Sequence, residues 1–203
     1  MKKPPVKLGL NPPQADKYLA PRLGPRLAGT LMRGLVLRKS MKNRAYLDIE
    51  TTGLSKYYSD LTVIGIAFEK VRKIEVIQLI EHNLCECSLL KALDGVDEIY
   101  TYNGSRFDLP FIGAKLRVDL KSCFKHTDLM YDCWRNDLKG GLKAVEKKLA
   151  INRQLQGVDG RMAIKLWYEY VNNHNQQALR MLLDYNREDV VNLRLLRQKL
   201  GVK

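Results

Sequence analysis

Residues 45–55 read AYLDIETTGLS, and this stretch decides how the rest of the chain is interpreted. The run AYLDIE has the apolar content of a buried strand. Side chains two positions apart on a strand share one face. Asp48 and Glu50 therefore project from one face of the predicted strand, and Leu47 and Ile49 project from the other. We predict a strand that ends in a pair of carboxylates.

This pair needs a source of positive charge. Two carboxylates held about 5–7 Å apart repel each other unless something neutralises them. A divalent cation such as Mg²⁺ or Mn²⁺ does so economically, because hard cations prefer carboxylate oxygens. The alternative is that Asp48 and Glu50 are ordinary acids at the exposed end of a strand. The pair alone does not decide between the two.

A second motif is YTYNGSRFDLPFI, residues 100–112. A predicted strand ends near Tyr102, a turn follows, and Asp108 opens a helix with Pro110 in its first turn. Such strand-to-helix loops lie at the carboxyl edge of an α/β sheet, where ligand sites gather. Asp108 is therefore either a helix cap or a metal ligand.

A third motif is DYNREDVVNL, residues 184–193. Tyr185 and Asp189 are four residues apart and share one face of the predicted helix. Asp184 and Glu188 have the same spacing on a neighbouring face. Spacing alone does not choose between these pairs.

The remaining pattern predicts an α/β fold with a five-stranded mixed sheet flanked by helices. Further strands are expected at 61–70, 72–81, 97–103 and 122–129, with the first two forming a hairpin. Helices are expected at 88–95, 108–117, 140–151, 160–172 and 175–200.

Charge divides the chain into two regions. Residues 1–44 hold eleven Lys and Arg against one Asp, a net +10, and the other 159 residues carry the remaining +3 of the total +13. We predict a basic, Pro-rich extension over residues 1–43, with room for one or two short helices, for example near 27–38, and a globular domain over 44–203. Such an extension is either a nucleic-acid-binding arm or a solvated tail. In the first case, deleting residues 1–40 weakens nucleic-acid binding and flattens its salt dependence.

Composition narrows the cellular setting. No apolar run is long enough to span a bilayer, and no signal-peptide pattern follows the basic start, so we expect a cytoplasmic protein without a membrane partner. The four cysteines, Cys85, Cys87, Cys123 and Cys133, are expected to be reduced, because they form no CxxC pair and nothing indicates secretion. Their spacing also does not match a structural zinc site.

Taken in order, D-x-E-T-T-G, N-x-x-x-F-D and Y-x-x-x-D resemble the motifs of DEDDy-type 3′–5′ exonucleases of the ribonuclease H-like superfamily. Over residues 44–198 the sequence is most similar to proofreading domains of family B DNA polymerases and to stand-alone YprB-type domains. The resemblance implies a ribonuclease H-like fold and hydrolysis of DNA or RNA from the 3′ end with two Mg²⁺ or Mn²⁺ ions. Nothing in the resemblance indicates an obligate protein partner.

The resemblance also assigns residues. Asp48, Glu50, Asp108 and Asp189 would bind the metals, and Tyr185 would orient the attacking water. Contacts to the substrate are expected from Thr51, Thr52, Leu54, Asn103 and Phe107, although Phe107 is equally suited to the core. Asp128 is expected to have a supporting or packing role.

Several alternatives stay open at this point. The chain is also compatible with a nucleic-acid-binding module of weak or lost catalysis, or with a ribonuclease H-like endonuclease. Trp134 and Trp167 are expected to pack in the core rather than stack on bases. The lysines of segment 138–148 either contact phosphates or form a solvated helix face: Lys139, Lys143, Lys147 and Lys148.

Overall fold

The computed structural model describes residues 43–69, 74–155 and 157–202. The predicted extension, except for Asn43, and the helix predicted near 27–38 lie outside these residues. Asn43 already belongs to the folded domain, because its backbone nitrogen donates to Asp97 Oδ2 at 2.9 Å and its side chain donates to the carbonyl of Gly95 at 2.8 Å.

Five strands form one mixed sheet, as predicted, and their order across the sheet is β3-β2-β1-β4-β5. The pairs β1–β2 and β2–β3 are antiparallel, whereas β1–β4 and β4–β5 are parallel. The central strand β1 therefore carries the AYLDIE run. The strands are β1 (Arg44–Thr51), β2 (Leu61–Glu69), β3 (Ile74–Ile80), β4 (Glu98–Thr101) and β5 (Lys125–Asp128).

Seven α-helices flank the sheet in the described part of the chain, and a short 3₁₀ helix spans Glu81–Asn83. The α-helices are α1 (Glu86–Ala92), α2 (Asp108–Leu116), α3 (Leu120–Cys123), α4 (Leu129–Arg135), α5 (Leu142–Lys148), α6 (Gly160–Asn173) and α7 (Gln176–Lys199). The five predicted helices are present, with ends that shift by a few residues.

The strand predicted at 122–129 is present as β5 but is shorter than predicted. Only residues 125–128 form β5, and the short helices α3 and α4 lie on either side of it. Both helices begin at an aspartate whose side chain accepts a hydrogen bond from a backbone nitrogen two residues later. The capping residues Asp119 and Asp128 start helices in a segment whose residue types favour a strand.

Residues of β1 alternate between two cores. Ala45, Leu47 and Ile49 pack in one cluster with the apolar residues of α2. Tyr46 packs on the opposite face with buried residues of α7, including Leu193. Asp48 and Glu50 lie two and four residues after Tyr46, so their side chains project from the same face of the sheet, which α7 covers.

One glycine allows α7 to approach this face closely. Gly65 on β2 pairs with Asp48 across the sheet. A Cβ atom at position 65 would lie 2.8 Å from Cγ of Asn186, which is too close for any real contact. The Asn186 side chain occupies this space and donates to Asp48 Oδ2 at 3.2 Å. The absence of a side chain at Gly65 thus links α7 to the acidic end of β1.

Among the residues described, no helix is both long and apolar enough to cross a membrane.

Candidate active site

Three carboxylates meet where β1 ends beneath α7. Asp48, Glu50 and Asp189 each offer an oxygen, and these oxygens lie within 4.8 Å of one another. Glu50 and Asp189 are buried, and Asp48 is half-buried. The pairing register of β1 shifts between Glu50 and Thr51, so the acids occupy the last regular positions of the strand.

Asp108 joins the same site from α2. Its Oδ1 accepts a hydrogen bond from the backbone nitrogen of Ile49 at 3.2 Å, and Ile49 lies between the two β1 acids. Asp108 is the first helical residue, and the residue at the cap position is Phe107, whose side chain makes no capping hydrogen bond. All four acids line one cavity of about 450 Å³.

The electrostatics of the cavity show a shortage of positive charge. Burial raises the pKa of Asp48 and of Glu50 well above the ordinary value, and the neighbouring carboxylates raise each pKa further. Burial likewise raises the pKa of Asp108 to about 7 and raises the pKa of Asp189. Buried carboxylates clustered in this way form a set of oxygen donors suited to a hard divalent cation, whose charge would neutralise them.

Tyr185 lies one helical turn before Asp189 and is buried. Burial, followed by the charges of the surrounding acids, raises the pKa of Tyr185 far above its ordinary value. The phenol therefore remains a hydrogen-bond donor at neutral pH. The amine of Lys143 lies 4.5 Å from the centre of the Tyr185 ring.

Asp184 and Glu188, the competing pair on α7, are not part of this cavity. Asp184 is exposed, and it lines a separate groove with Glu188. Glu188 accepts a hydrogen bond from the backbone nitrogen of Leu155 at 3.3 Å. The Tyr185–Asp189 face of the helix is thus the one directed at the β1 acids.

Arg153 is a further residue of the site, and no sequence pattern pointed to it. Its guanidinium donates to Asp189 and, at 2.7 Å, to Oε2 of Glu146. Its Nε lies 3.4 Å from Oε2 of Glu188. The carboxylate of Asp189 therefore lines the acidic cavity and is also paired with the guanidinium of Arg153.

Four of the five predicted substrate-contact residues line the cavity: Thr51, Leu54, Asn103 and Phe107. Thr52 does not line it. Its hydroxyl accepts a hydrogen bond from the backbone nitrogen of Asp60 at 2.7 Å, which closes the loop after β1. Phe107 also packs against the core, and its contact with substrate stays a prediction.

Asp128 supports the loop that carries Asn103. Its Oδ1 accepts from the backbone nitrogen of Asn103 at 2.7 Å, and its Oδ2 accepts from that of Ser105 at 2.9 Å. Asn103 adopts a positive φ of 64° within this loop. The supporting role predicted for Asp128 is confirmed.

The predicted lysines and tryptophans differ from one another in burial. Lys143 is half-buried beside Tyr185, whereas Lys139, Lys147 and Lys148 are exposed. Trp167 packs against a buried cluster as expected, but Trp134 is 41% exposed and stacks edge-on against Tyr131. All four cysteines are free thiols, and among the described residues only the carboxylate cluster has the geometry of a metal site.

Comparisons with solved structures identify similar folds. Brucella melitensis NrnC superposes with a TM-score of 0.52 at 21% identity, over 81% of this chain and 75% of the other. A structure described as the apo form of a nuclease gives the same TM-score and identity, over 83% of this chain and 75% of the other. No curated protein sequence was found to match. The model of the RNase H superfamily matches residues 45–201, and the chain therefore belongs to that superfamily.

Proposed function

We propose that the protein is a metal-dependent 3′–5′ exonuclease that hydrolyses phosphodiester bonds at the 3′ ends of DNA or RNA. The observation that carries this proposal is the cluster of Asp48, Glu50 and Asp189, whose oxygens lie within 4.8 Å in a domain of the RNase H superfamily. Asp108, tied to the same strand, completes the four-carboxylate set of the DEDDy motifs.

The four acids are the residues that would hold two Mg²⁺ or Mn²⁺ ions. Their oxygens are hard donors, and their raised pKa values reflect uncompensated negative charge in a buried cavity. When bound, such ions supply the charge that stabilises the reacting phosphate and lower the pKa of water toward neutrality.

The protein's own side chains orient the reactants. The Tyr185 phenol stays protonated and holds a water molecule by hydrogen bonding in the proposed reaction. Lys143, whose amine lies above the Tyr185 ring, provides positive charge near the phosphate. Leu54 and Phe107 offer apolar surface to the terminal nucleotide, and Asn103 offers a polar group.

The test uses single strands labelled at either the 3′ or the 5′ end, incubated with Mg²⁺ or Mn²⁺. We expect a 3′ label to be released as a mononucleotide and a 5′ label to remain on a ladder of shortening strands. Asp48→Asn and Asp189→Asn should lower the rate by about a hundredfold or more. Asp184→Asn is the matched control, since this exposed acid lies on the same helix outside the cavity. Equal rates for all variants would contradict the proposal, and cleavage of a circular single strand would indicate an endonuclease.

A second candidate function is a nucleic-acid-binding module with weak or lost catalysis. The ion pair between Arg153 and Asp189 favours it, because this cation competes with a metal for one of the four acids. Calorimetric titration with Mn²⁺ separates the two. An exonuclease binds the cation at this site and loses that binding in Asp48→Asn, whereas a binding module shows no such site.

A further inference from the structure

Three large side chains in one short loop are unusually exposed. Tyr58 is 93% exposed, Leu54 is 89% exposed and Tyr57 is 74% exposed, the highest values of any large apolar residues in the described ranges. They follow directly from the end of β1, next to the carboxylates. Exposed aromatic and aliphatic residues that cluster in this way mark a binding surface rather than ordinary variation.

The loop that carries these side chains is organised. The backbone nitrogen of Thr52 donates to the carbonyl of Asp60 at 2.9 Å, which joins the two ends of the loop. The backbone nitrogen of Ser59 donates to the carbonyl of Ser55 at 2.8 Å, which forms an inner turn. Lys115 of α2 lies 3.6 Å from the carboxylate of Asp60 and ties the loop to the domain. The two tyrosines are therefore held at the surface before any partner binds.

A groove of about 290 Å³ runs beside this loop. Leu54 and Phe107 line both this groove and the cavity of the four acids, so the two are neighbours that share a wall. Tyr57 and Arg106 line the groove but not the cavity. A ligand that enters the acidic cavity thus has a continuous path across the loop.

The chemistry of the groove fits one kind of ligand. Lys56 and Arg106 line it, and no acid is among the described residues that do so. The amine of Lys56 lies 5.2 Å from the centre of the Tyr57 ring. Rings interleaved with cations bind single-stranded nucleic acid, because bases stack on the rings while phosphates meet the positive charge. We call Leu54, Lys56, Tyr57, Tyr58 and Arg106 the tyrosine surface.

We infer that the tyrosine surface binds the third and fourth nucleotides from the 3′ end of a single strand. The inference rests on the proposed function, because it takes the last two nucleotides to lie in the acidic cavity. It makes the protein selective for single strands of three or more nucleotides. A dinucleotide does not reach the tyrosines, and in a duplex the bases are paired and stacked on one another.

Binding of 5′-fluorescent oligothymidylates and oligouridylates of two, four and twelve nucleotides, measured by anisotropy in EDTA, tests the inference without cleavage. The wild type should bind four nucleotides more tightly than two by roughly five- to 150-fold for each base stacked. Tyr57→Ala/Tyr58→Ala should lose this gain and bind the dinucleotide as the wild type does. Tyr57→Phe/Tyr58→Phe keeps the rings and should keep the gain. Comparison of the two sugars shows which strand the surface prefers.

The control is Tyr168→Ala, which removes a tyrosine that is 48% exposed on α6 and should change nothing. Equal affinity of the wild type for two and twelve nucleotides overturns the inference. It is also overturned if the double alanine variant binds twelve nucleotides normally, and especially if that variant alters self-association in sedimentation, which would indicate a protein interface. If the inference is overturned but the protein degrades strands from the 3′ end, the proposed function stands. If binding depends on length but no strand is cleaved, only the proposed activity is refuted.

Discussion

Arg153 donates hydrogen bonds to two buried carboxylates at once, Glu146 and Asp189. Glu146 has no exposed surface, and its other oxygen accepts from the amide of Asn192 at 3.0 Å. One acid of the proposed metal site is therefore joined to a polar network inside the domain. The network fixes the carboxylate of Asp189 before any cation arrives.

The first prediction concerns this network. Arg153→Met removes the only charge opposite Glu146 among the described ion pairs, so a buried carboxylate is left unpaired. We expect the free energy of unfolding, measured by urea denaturation in EDTA, to fall by about 3 kcal/mol. Arg135→Met is the matched control, because its pair with Asp132 is exposed on the arginine side and should contribute about 1 kcal/mol or less. Equal losses in the two variants would show that burial of the Arg153 network adds nothing.

The second prediction concerns the contact between α7 and the sheet. Gly65→Ala places a methyl group where the Asn186 side chain lies, so α7 must move away from β1. We expect a loss of about 1–3 kcal/mol in unfolding free energy and a fall in activity, because Asp189 moves with the helix. Asn186→Ala removes the clash, so the double variant should be more stable than the two separate losses predict. Strict additivity in this double-mutant cycle would contradict the steric explanation.

The third prediction concerns the loop behind Asp108. Asp128→Ala leaves the backbone nitrogens of Asn103 and Ser105 without their acceptor. We expect a loss of about 2–3 kcal/mol in unfolding free energy and a higher KM, since Asn103 lines the cavity. Asp119→Ala, which removes the cap of the exposed turn of α3, is the control and should cost about 1 kcal/mol without changing KM. An unchanged KM in Asp128→Ala would separate this loop from substrate binding.

The fourth prediction links pH, metal and stability. Burial and neighbouring acids raise the pKa values of the four carboxylates, with that of Asp108 at about 7. The folded protein therefore binds more protons than the unfolded chain, and its stability without metal decreases as the pH rises from about 4 to about 7. Thermal melts in EDTA should show this decrease, and Mn²⁺ should raise Tm more at pH 7.5 than at pH 5.

Asp108→Asn serves as the control for this measurement. The amide does not titrate, so the variant should show a smaller decrease in Tm across the same pH range. If wild type and variant have the same pH dependence in EDTA, Asp108 does not have the raised pKa on which the prediction depends.

The sequence predicted the parts of the site that follow local rules. Alternation along β1 placed Asp48 and Glu50 on one face, and helical spacing placed Tyr185 and Asp189 together. The strand predicted at 122–129 is shorter, spanning residues 125–128, because Asp128 starts a helix by a local capping bond. Arg153 was not predictable, because its three acidic partners come from two different helices and its own segment has no periodic pattern.

The sequence also carries a signal for the close packing of α7 on the sheet. An isolated glycine inside a β-branched strand signals a close approach by another part of the chain, and Gly65 stands in the middle of LTVIGIAFE. Its partner Asn186 gave no comparable signal, since a polar residue on a long helix reads as solvent-exposed.

The contact between Asn186 and Asp48 spans 138 residues of sequence. A nascent chain on the ribosome contains Asp48 and Glu50 long before it contains Tyr185 and Asp189. Since a site of this kind needs all of its acids, the proposed nuclease is inert until α7 has been synthesised and has packed on the sheet.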